Sequence, residues 1–402
     1  MVDLLIIGAG PAGLAASIEA ASRNLSVTII DEFTTPGGRL LGQLHEEEKD
    51  VWWNGVEEAH TLHEKAQENG VELLLETSVY KIQQEDVYWS THTSAGIYHS
   101  KALLIATGAT EQSLPLPGWT LPGVMSIGAA QVMTNVRHVK PGEKGIIIGL
   151  NALSFAISRE LRLCNIDLEG FFLPPDHFLT TDQAKPLSVL NNLMTLSHLA
   201  PMNWMRLGGK IANNNRWIQK QTLSFYPKRG INIWQTPVHV RKAVTSINGS
   251  TQVESVTVVD LRADGTMIEG SEENLEVDFV CISGGLAPLT ELIGLTDLKL
   301  IAIESLGGYV PVHFEDMRTE VTDLYVAGNI TGIESAKVAR AQGVVAGISA
   351  CIHSFNLRND DALEIAMEKV RKERAEAKLQ FHPEIEKGRT LLYSEKGEVQ
   401  YG

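Results

Sequence analysis

Cysteine is scarce in this sequence of 402 residues, which contains only Cys164, Cys281 and Cys351. The three lie far apart and none forms a C-x-x-C pair. This excludes a disulfide framework, a Cys-ligated iron–sulfur cluster and the redox dithiol that passes electrons to a disulfide. No metal site is predicted, and we expect the three thiols to act as small buried hydrophobes.

Positive charge and long apolar runs are also in short supply. Lys and Arg number 34 against 49 Asp and Glu, which gives a net charge of −15. This balance argues against an extended surface for nucleic acid or anionic membranes. The apolar stretches are interrupted before membrane-spanning length, and the first of them, at Leu4, follows no basic region. We expect a cytoplasmic protein whose partners are small molecules and proteins.

The chain opens with the pattern strand, glycine turn, helix, strand. Residues 4–7 are apolar, residues 8–13 read G-A-G-P-A-G, residues 14–22 are Ala-rich and residues 27–30 are β-branched. In this context G-x-G-x-x-G places a pyrophosphate against backbone N–H groups at the positive end of a helix. Asp31 follows the second strand, where an acid accepts from a ribose hydroxyl. The opening therefore predicts a dinucleotide-binding unit.

The same pattern returns over residues 145–163, so the chain repeats its own opening. Counting from the first glycine of each unit, Asn151 stands at the position of Gly10, and Phe172 at that of Asp31. Asn151 brings a side chain to a place where a pyrophosphate needs bare backbone, and Phe172 cannot accept from a ribose hydroxyl. We expect the second fold to keep its architecture while binding NAD(P) poorly or not at all.

Three further segments have small residues at turns or strand ends. Residues 36–39 read P-G-G-R, which indicates either a tight turn whose amides and Arg39 face a cofactor or an ordinary glycine loop. Residues 106–108 (A-T-G) and 324–329 (L-Y-V-A-G-N) end apolar strands. Small residues suit places where the backbone passes close to a cofactor.

Together these motifs resemble those of the two-dinucleotide-fold flavoprotein reductases, the pyridine nucleotide-disulfide oxidoreductase-like superfamily, with the late block at residues 319–329. Residues 107–111 (T-G-A-T-E), 117–125 (P-G-W-T-L-P-G-V-M) and 128–131 (G-A-A-Q) more narrowly resemble the FAD subunits of amine dehydrogenases that are built from several subunits. That group includes the sarcosine oxidase large subunit, opine oxidase, hydrogen cyanide synthase and proline or hydroxyproline dehydrogenases. The resemblance covers about residues 1–350.

The resemblance implies an α/β fold of two nested Rossmann-like dinucleotide-binding domains with a helical C-terminal tail. The FAD-binding domain would be discontinuous, over residues 1–115 and 286–351, with a crossover at 116–141. An inserted NAD(P)-like domain would follow at 142–285, and a C-terminal helix and tail at 352–402. A helical insertion at about 185–230 would be a lid, a partner surface or plain packing. The C-terminal helix would be solvated or would dock onto another subunit.

The resemblance also implies FAD as the cofactor, with NAD(P) doubtful. The residues expected to bind FAD are Gly8, Gly10, Pro11, Ala12, Gly13, Asp31, Glu32, Gly38, Arg39, Val79, Ala106, Thr107, Gly108, Gly328 and Asn329. Asn329 stands where the reductases have an aspartate. The amide removes one negative charge but can still form hydrogen bonds, so we expect FAD binding to survive.

The leading hypothesis is an FAD-dependent oxidoreductase subunit. Its substrate would be an amine or amino acid such as sarcosine, proline, hydroxyproline or an opine, oxidised by hydride transfer to the flavin. A second subunit or a homo-oligomer is expected. His45 is a candidate base against the reading of an ordinary loop histidine. Glutamates 46–48 are further candidates for the base or form a solvated face, and Trp52 and Trp53 are a loop anchor or a pocket lining.

Two alternatives stay open. One is an NAD(P)H-dependent reductase that passes electrons to a protein or quinone. The other is a non-catalytic or electron-relaying FAD subunit whose substrate is oxidised in a partner chain.

Overall fold

The structure is a computed structural model that describes residues 1–48, 50–195, 216–357, 360–377 and 380–399. The chain forms two compact units. The first comprises Met1–Gln43, Trp53–Thr110 and Leu286–Gly402, and the second comprises Leu44–Trp52 and Glu111–Gly285. Parallel sheets flanked by helices confirm the predicted α/β class.

The helices of the described residues are α1 (Pro11–Ala21), α2 (Gly55–Glu68), α3 (Ile127–Asn135), α4 (Ala152–Leu163), α5 (Pro186–Thr195), α6 (Arg216–Ser224), α7 (Ala336–Phe355), α8 (Asp360–Ala375) and α9 (Ile385–Val399). The strands are β1 (Val2–Ile7), β2 (Val27–Ile30), β3 (Leu44–Glu48), β4 (Val51–Asn54), β5 (Glu72–Leu74), β6 (Val79–Gln84), β7 (Trp89–Thr93), β8 (Gly96–Ile105), β9 (Ala109–Glu111), β10 (Val124–Ser126), β11 (Lys144–Ile148), β12 (Asp167–Leu173), β13 (Ile231–Ile233), β14 (Thr236–Asn248), β15 (Ser255–Asp260), β16 (Glu273–Glu276), β17 (Phe279–Ile282), β18 (Leu286–Pro288), β19 (Leu300–Ile303), β20 (Gly308–Pro311) and β21 (Leu324–Val326). Among the described residues, no helix combines the length and the apolar character needed to cross a membrane.

The first unit is built on a sheet of order β5-β2-β1-β8-β7-β6, with β21 beside β8. Strand β1 runs parallel to β2 and to β8, and β21 runs parallel to β8. Apart from the first half of β8, which is mostly exposed, these strands are buried on both faces, and this explains their apolar sequences. The carboxyl ends of β2, β1, β8 and β21 therefore meet at one edge of the sheet.

Small residues allow α1 and α7 to pack backbone against backbone in the first unit. A Cβ atom added to Gly343 would lie 2.1 Å from the carbonyl oxygen of Ala12, and one added to Gly347 would lie 2.6 Å from that of Ala16. The two glycines are four residues apart and therefore lie on one face of α7. This contact fixes the position of α1 relative to α7.

The C-terminal helices belong to the first unit. Leu363, Ala366 and Val370 of α8 are buried in its main core. Ile385 and Leu392 of α9 are buried in a smaller cluster with residues of β19 and β20. The C-terminal helix predicted to be solvated or to dock elsewhere therefore has one face packed within its own chain.

The second unit has the sheet order β10-β17-β11-β12-β14-β15-β16, with β13 beside β14. Strands β10, β17, β11, β12 and β14 run parallel, as a dinucleotide-binding fold requires. The segment predicted as a crossover, residues 116–141, contains β10 and α3 and belongs to this unit.

The helical insertion at 185–230 is described only in part, because residues 196–215 lie outside the described residues. Leu190 and Met194 of α5 and Leu223 of α6 are buried in the same core as β12 and β14. The described part of the insertion therefore packs against its own unit.

Replacing Gly343 should test the packing of α1 against α7. We expect Gly343→Ala to lower the free energy of unfolding by about 1–3 kcal/mol, because the new methyl group meets backbone that cannot move cheaply. Gly294→Ala is the matched control, since its Cβ atom has no neighbour within 4 Å. Thermal unfolding followed by circular dichroism measures both. Equal melting temperatures for the two variants would contradict the prediction.

Candidate functional site

In the glycine turn after β1, two of the glycines have no room for a side chain and one has room. A Cβ atom at Gly8, where φ is +108°, would lie 2.4 Å from the carbonyl oxygen of Ala106. One at Gly13 would lie 1.9 Å from the carbonyl oxygen of Gly8. A Cβ atom at Gly10 would have no atom within 4 Å. Gly8 and Gly13 therefore serve the packing of the turn, whereas Gly10 faces open space.

The N-terminus of α1 has no side-chain cap among the described residues. Gly10 is the N-cap residue and has no side chain to offer, and Pro11 occupies the first turn without an N–H group. The remaining first-turn N–H groups thus point out of the helix without a capping acceptor. Such an end carries partial positive charge and binds phosphate.

Asp31 links the glycine turn after β1 to the end of β2 by hydrogen bonds. Its Oδ2 accepts a hydrogen bond from the N–H of Ala9 at 2.6 Å, and its Oδ1 accepts from the N–H of Phe33 at 2.9 Å. The carbonyl oxygen of Ala9 accepts from the N–H of Gly37 at 2.8 Å. Asp31 therefore organises the two loops around α1. The ribose contact expected of Asp31 stays a prediction.

The end of β8 is held by a side-chain contact. The Thr107 hydroxyl donates to the carbonyl oxygen of Leu289 at 2.7 Å. Gly108 has φ of +77°, and a Cβ atom there would have no neighbour within 4 Å. Arg39 donates from Nε to the carbonyl oxygen of Ala109 at 3.1 Å, which brings the P-G-G-R turn to the same strand end.

The end of β21 lies against the first turn of α1. Gly328 has φ of +80°, and a Cβ atom there would lie 2.9 Å from that of Ala12. The N–H of Gly328 donates to Oε1 of Gln342 at 2.9 Å, inside α7. Asn329 accepts through Oδ1 from the N–H of Glu334 at 3.2 Å. The amide that replaces the expected aspartate is thus used to shape its own loop.

The structure brings most of the predicted FAD-binding residues to one edge of the first sheet. These residues are Gly8, Gly10, Pro11, Ala12, Gly13, Asp31, Gly38, Ala106, Thr107, Gly108, Gly328 and Asn329. Arg39 and Glu32 lie exposed beside them. Val79 begins β6 two residues after Thr77, whose N–H donates to the carbonyl oxygen of Asp31 at 2.9 Å. Direct contact of each residue with FAD stays a prediction.

In the second unit, side chains form hydrogen bonds within the turn that corresponds to the glycine turn after β1. Asn151 is the N-cap of α4, and its Oδ1 accepts from the N–H of Ser154 at 3.0 Å in a capping box. Its Nδ2 donates to the carbonyl oxygen of Ser283 at 2.9 Å. Phe172 is buried and stacks on His239 with ring centres 4.8 Å apart. At the positions that correspond to Gly10 and Asp31, the second unit therefore has a capping side chain and a buried aromatic ring.

His45, the candidate base, lies on β3 in the second unit. It is exposed, and its Nε2 lies 4.0 Å from Oε1 of Glu47. Glu46 forms an ion pair with Arg159 of α4 at 2.5 Å, and the Arg159 guanidinium lies 5.6 Å from the centre of the Trp52 ring. These contacts fit an anchored segment for Glu46 and Trp52. A catalytic role for His45 stays a prediction.

Glu160 is a titratable group that the sequence analysis missed. It is buried on α4 and accepts from Nε2 of Gln131 at 2.8 Å and from Nδ2 of Asn135 at 2.6 Å. Burial raises its pKa from 4.5 to about 7, against the lowering effect of these hydrogen bonds. In the sequence, only its place among the apolar residues of α4 distinguishes it from a surface glutamate.

The three cysteines are free thiols. Burial raises the pKa of Cys281 and of Cys164, and it raises that of Cys351 to about 11. Thiols of this kind react slowly because the thiolate form is scarce. The expectation that they act as small hydrophobes is met most fully by Cys281 and Cys351, which lie in the cores of the two units.

Comparison with known sequences identifies the family. The pyridine nucleotide-disulphide oxidoreductase family matches residues 2–158 and 232–343, more than half of the chain. The chain belongs to this family. The two dinucleotide-binding folds predicted from the sequence are thereby confirmed, and FAD is the cofactor. The open turn at Gly10 and the uncapped start of α1 fit its pyrophosphate.

Among individual proteins, the chain is 26% identical to an opine oxidase subunit of Agrobacterium tumefaciens (strain Ach5) over 366 residues, covering 87% of the chain and 65% of the relative. It is 23% identical to the hydrogen cyanide synthase subunit HcnB of Pseudomonas aeruginosa, covering 90% of the chain and 73% of the relative. The crystal structure of L-proline dehydrogenase from P. horikoshii superposes with a TM-score of 0.64 at 21% identity, covering 92% of the chain and 58% of that protein. The chain thus spans slightly less than two thirds of the length of the opine oxidase subunit.

Two glycine variants should separate cofactor binding from folding. We expect Gly10→Ala to keep the melting temperature of the apo-protein, because its Cβ atom meets nothing, while weakening FAD binding at least about tenfold by filling the space for the pyrophosphate. Gly13→Ala should destabilise the fold itself, because its Cβ atom meets the Gly8 carbonyl. Fluorescence titration of apo-protein with FAD gives the affinity. Wild-type affinity in Gly10→Ala would place the pyrophosphate elsewhere.

Glu160 should make the stability of the chain depend on pH. Because its pKa is raised in the folded state, Glu160 is protonated in the folded chain and ionised in the unfolded chain between about pH 4.5 and 7. The contribution of Glu160 to stability should therefore fall as pH rises through this window, by up to about 3 kcal/mol. Glu160→Gln should remove this fall, whereas Glu276→Gln, an exposed residue of β16, should keep it. Urea unfolding from pH 4.5 to 8 tests both, and parallel profiles for Glu160→Gln and wild type would contradict the assignment.

Proposed function

We propose that this chain is an FAD-dependent dehydrogenase subunit that oxidises an amine or amino acid. The observation that carries the proposal is the contrast between the two glycine turns. The first leaves Gly10 open and α1 uncapped, whereas the second is closed by Asn151 and Phe172. A chain that holds one dinucleotide takes its electrons from a donor other than NAD(P)H.

When bound, FAD supplies a two-electron acceptor for hydride from the carbon next to an amine nitrogen. The chain's own residues bind and orient it in this proposal. First-turn N–H groups of α1 would receive the pyrophosphate near Gly10, and Asp31 would hold the turn and accept a hydrogen bond from the ribose. Gly328 and Asn329 shape the loop expected to face the flavin end of the cofactor.

The second unit serves as architecture in this proposal. Asn151 satisfies the N–H of Ser154, so the start of α4 has less capacity for a phosphate than that of α1. Phe172 places a ring in the core at the position of an acid. Restoring NAD(P) binding would require removal of both features.

The class of substrate rests on the relatives. By their names, the similar proteins act in the oxidation of opines or in cyanide synthesis, and two of them are subunits. We carry over to this chain an amine or amino-acid substrate and a partner subunit. Sarcosine, proline, hydroxyproline and opines are the compounds to test, and the cytoplasm is the proposed compartment.

The first experiment is anaerobic reduction of the purified chain with its bound flavin. We expect the flavin absorbance to bleach with a member of the amine panel and to persist with NADH and NADPH, because the second turn is sealed. Dithionite is the positive control for a reducible flavin. Rapid bleaching by NADH or NADPH would overturn the proposal in favour of a reductase. Failure of every donor except dithionite would favour the electron-relaying subunit.

A further inference from the structure

Three charged side chains from the C-terminal part of the first unit lie together, two of them buried and the third partly buried. Glu334 precedes α7, Arg374 lies on α8 and Arg389 lies on α9. Arg374 donates from Nε to Oε1 of Glu334 at 2.8 Å and from Nη2 to Oε2 at 3.1 Å, and Arg389 donates from Nη2 to the same Oε2. Glu334 and Arg389 are 8% and 5% exposed. We call these three residues the charge clamp.

The charge clamp contacts the loop from Gly328 to Glu334. Arg389 donates from Nη1 to the carbonyl oxygen of Thr331 at 2.6 Å. The N–H of Glu334 donates to Oδ1 of Asn329 at 3.2 Å. A Cβ atom at Gly332 would lie 2.9 Å from Nη2 of Arg389, so the loop and the guanidinium are in direct contact.

A buried amide extends the network to the glycine itself. Gln342 accepts through Oε1 from the N–H of Gly328 at 2.9 Å. Its Nε2 lies 3.4 Å from Oε2 of Glu334 and 3.3 Å from the Thr331 hydroxyl. A continuous series of hydrogen bonds therefore runs from Arg389 of α9 through Glu334 and Gln342 to the N–H of Gly328, just after β21.

The stability of the fold does not by itself explain why charged residues occupy these three positions. Burial by itself would raise the pKa of Glu334, and Arg389 and Arg374 instead hold it below its usual value, so the carboxylate is kept ionised. Well-packed apolar residues in place of a buried ion cluster are often as stabilising or more so. In some proteins buried ionic groups instead select one geometry, because each guanidinium donor has a fixed direction. Here that geometry belongs to the loop from Gly328 to Glu334.

We propose that Glu334, Arg374 and Arg389 are positioning residues by which helices α8 and α9 fix the Gly328–Glu334 loop in the conformation that binds FAD. The inference rests on the proposed cofactor site, because it takes Gly328 and Asn329 as FAD-binding residues. It assigns the C-terminal helices a role in cofactor binding.

Arg371 offers a matched control on the same helix. It is on α8, near Arg374, and pairs with Glu315, Glu364 and Glu368 at 2.8–3.1 Å. This cluster is exposed, and exposed ion pairs contribute little. Arg371→Gln therefore removes the same charge from the same helix without touching the loop.

The variants Glu334→Gln, Arg374→Gln, Arg389→Met and Arg389→Lys should be compared with Arg371→Gln in the full chain. FAD affinity, the visible circular dichroism of bound flavin and the midpoint potential are measured beside the apo-protein melting temperature. We expect Glu334→Gln, Arg374→Gln and Arg389→Met to weaken FAD binding at least about tenfold and to change the flavin dichroism, and Arg389→Lys to recover part of both. Arg371→Gln should match the wild type. Folded variants of the charge clamp with wild-type affinity and flavin spectra would overturn the inference.

A second measurement uses the wild-type chain and does not depend on the variants folding. Coupling between two sites is reciprocal. If α9 stabilises the FAD-binding conformation of the Gly328–Glu334 loop, bound FAD must also stabilise α9. We expect FAD to slow amide hydrogen exchange both in residues 328–334 and in residues 385–394 of α9. Slowing confined to 328–334 would overturn the inference while leaving the cofactor site intact. A wild-type chain that binds no FAD would instead overturn the proposed function.

Discussion

The structure of the first unit depends on how closely other backbone segments approach the first turn of α1. The carbonyl of Gly8 meets Gly13 from one side, and Gly328 and Gly343 both press against Ala12. None of these positions has room for another side chain. This close packing places the start of α1 at the edge where the five parallel strands of the first sheet end, and it leaves the outward side at Gly10 clear. The cofactor site is therefore a product of backbone packing more than of reactive side chains.

The contrast with the second unit shows how little separates a binding turn from a structural one. Both turns have a glycine with φ near +105° at the strand end, and both lead into a helix of similar length. At the N-cap position, however, one has Gly10 and the other Asn151. The asparagine gives its helix the acceptor that a bound phosphate would otherwise provide. The second helix therefore needs no ligand to complete its first turn.

Much of this could be read from the sequence, because it depends on local pattern. The glycine turn, Asp31 and the repeat at Asn151 are encoded within about thirty residues each, and the structure places them as the pattern predicts. Boundaries were less exact. The helix predicted at residues 14–22 is α1 (Pro11–Ala21), because Pro11 suits the first helical position and the helix begins inside the glycine turn.

What the sequence could not reveal depends on contacts between distant positions. Glu160 and Arg389 look like surface residues, and only the fold shows that they are buried by partners 25 to 58 positions away. The glutamate run of β3 gives no hydrophobic signal that it would join the second unit. Charged residues carry little information about burial until their partners are known, and here those partners lie on α3 and in the loop that precedes α7.

The order of strands along the chain bears on how the protein is synthesised. Strand β21 completes the first sheet beside β8, yet its residues pair with partners about 220 positions earlier, Leu324 with Leu103 and Val326 with Ile105. The parallel strands of the second sheet all lie between Val124 and Ile282. On the ribosome the second sheet can therefore assemble while the first still exposes the edge of β8. An unpaired apolar edge of this kind invites wrong pairing until the late strand arrives.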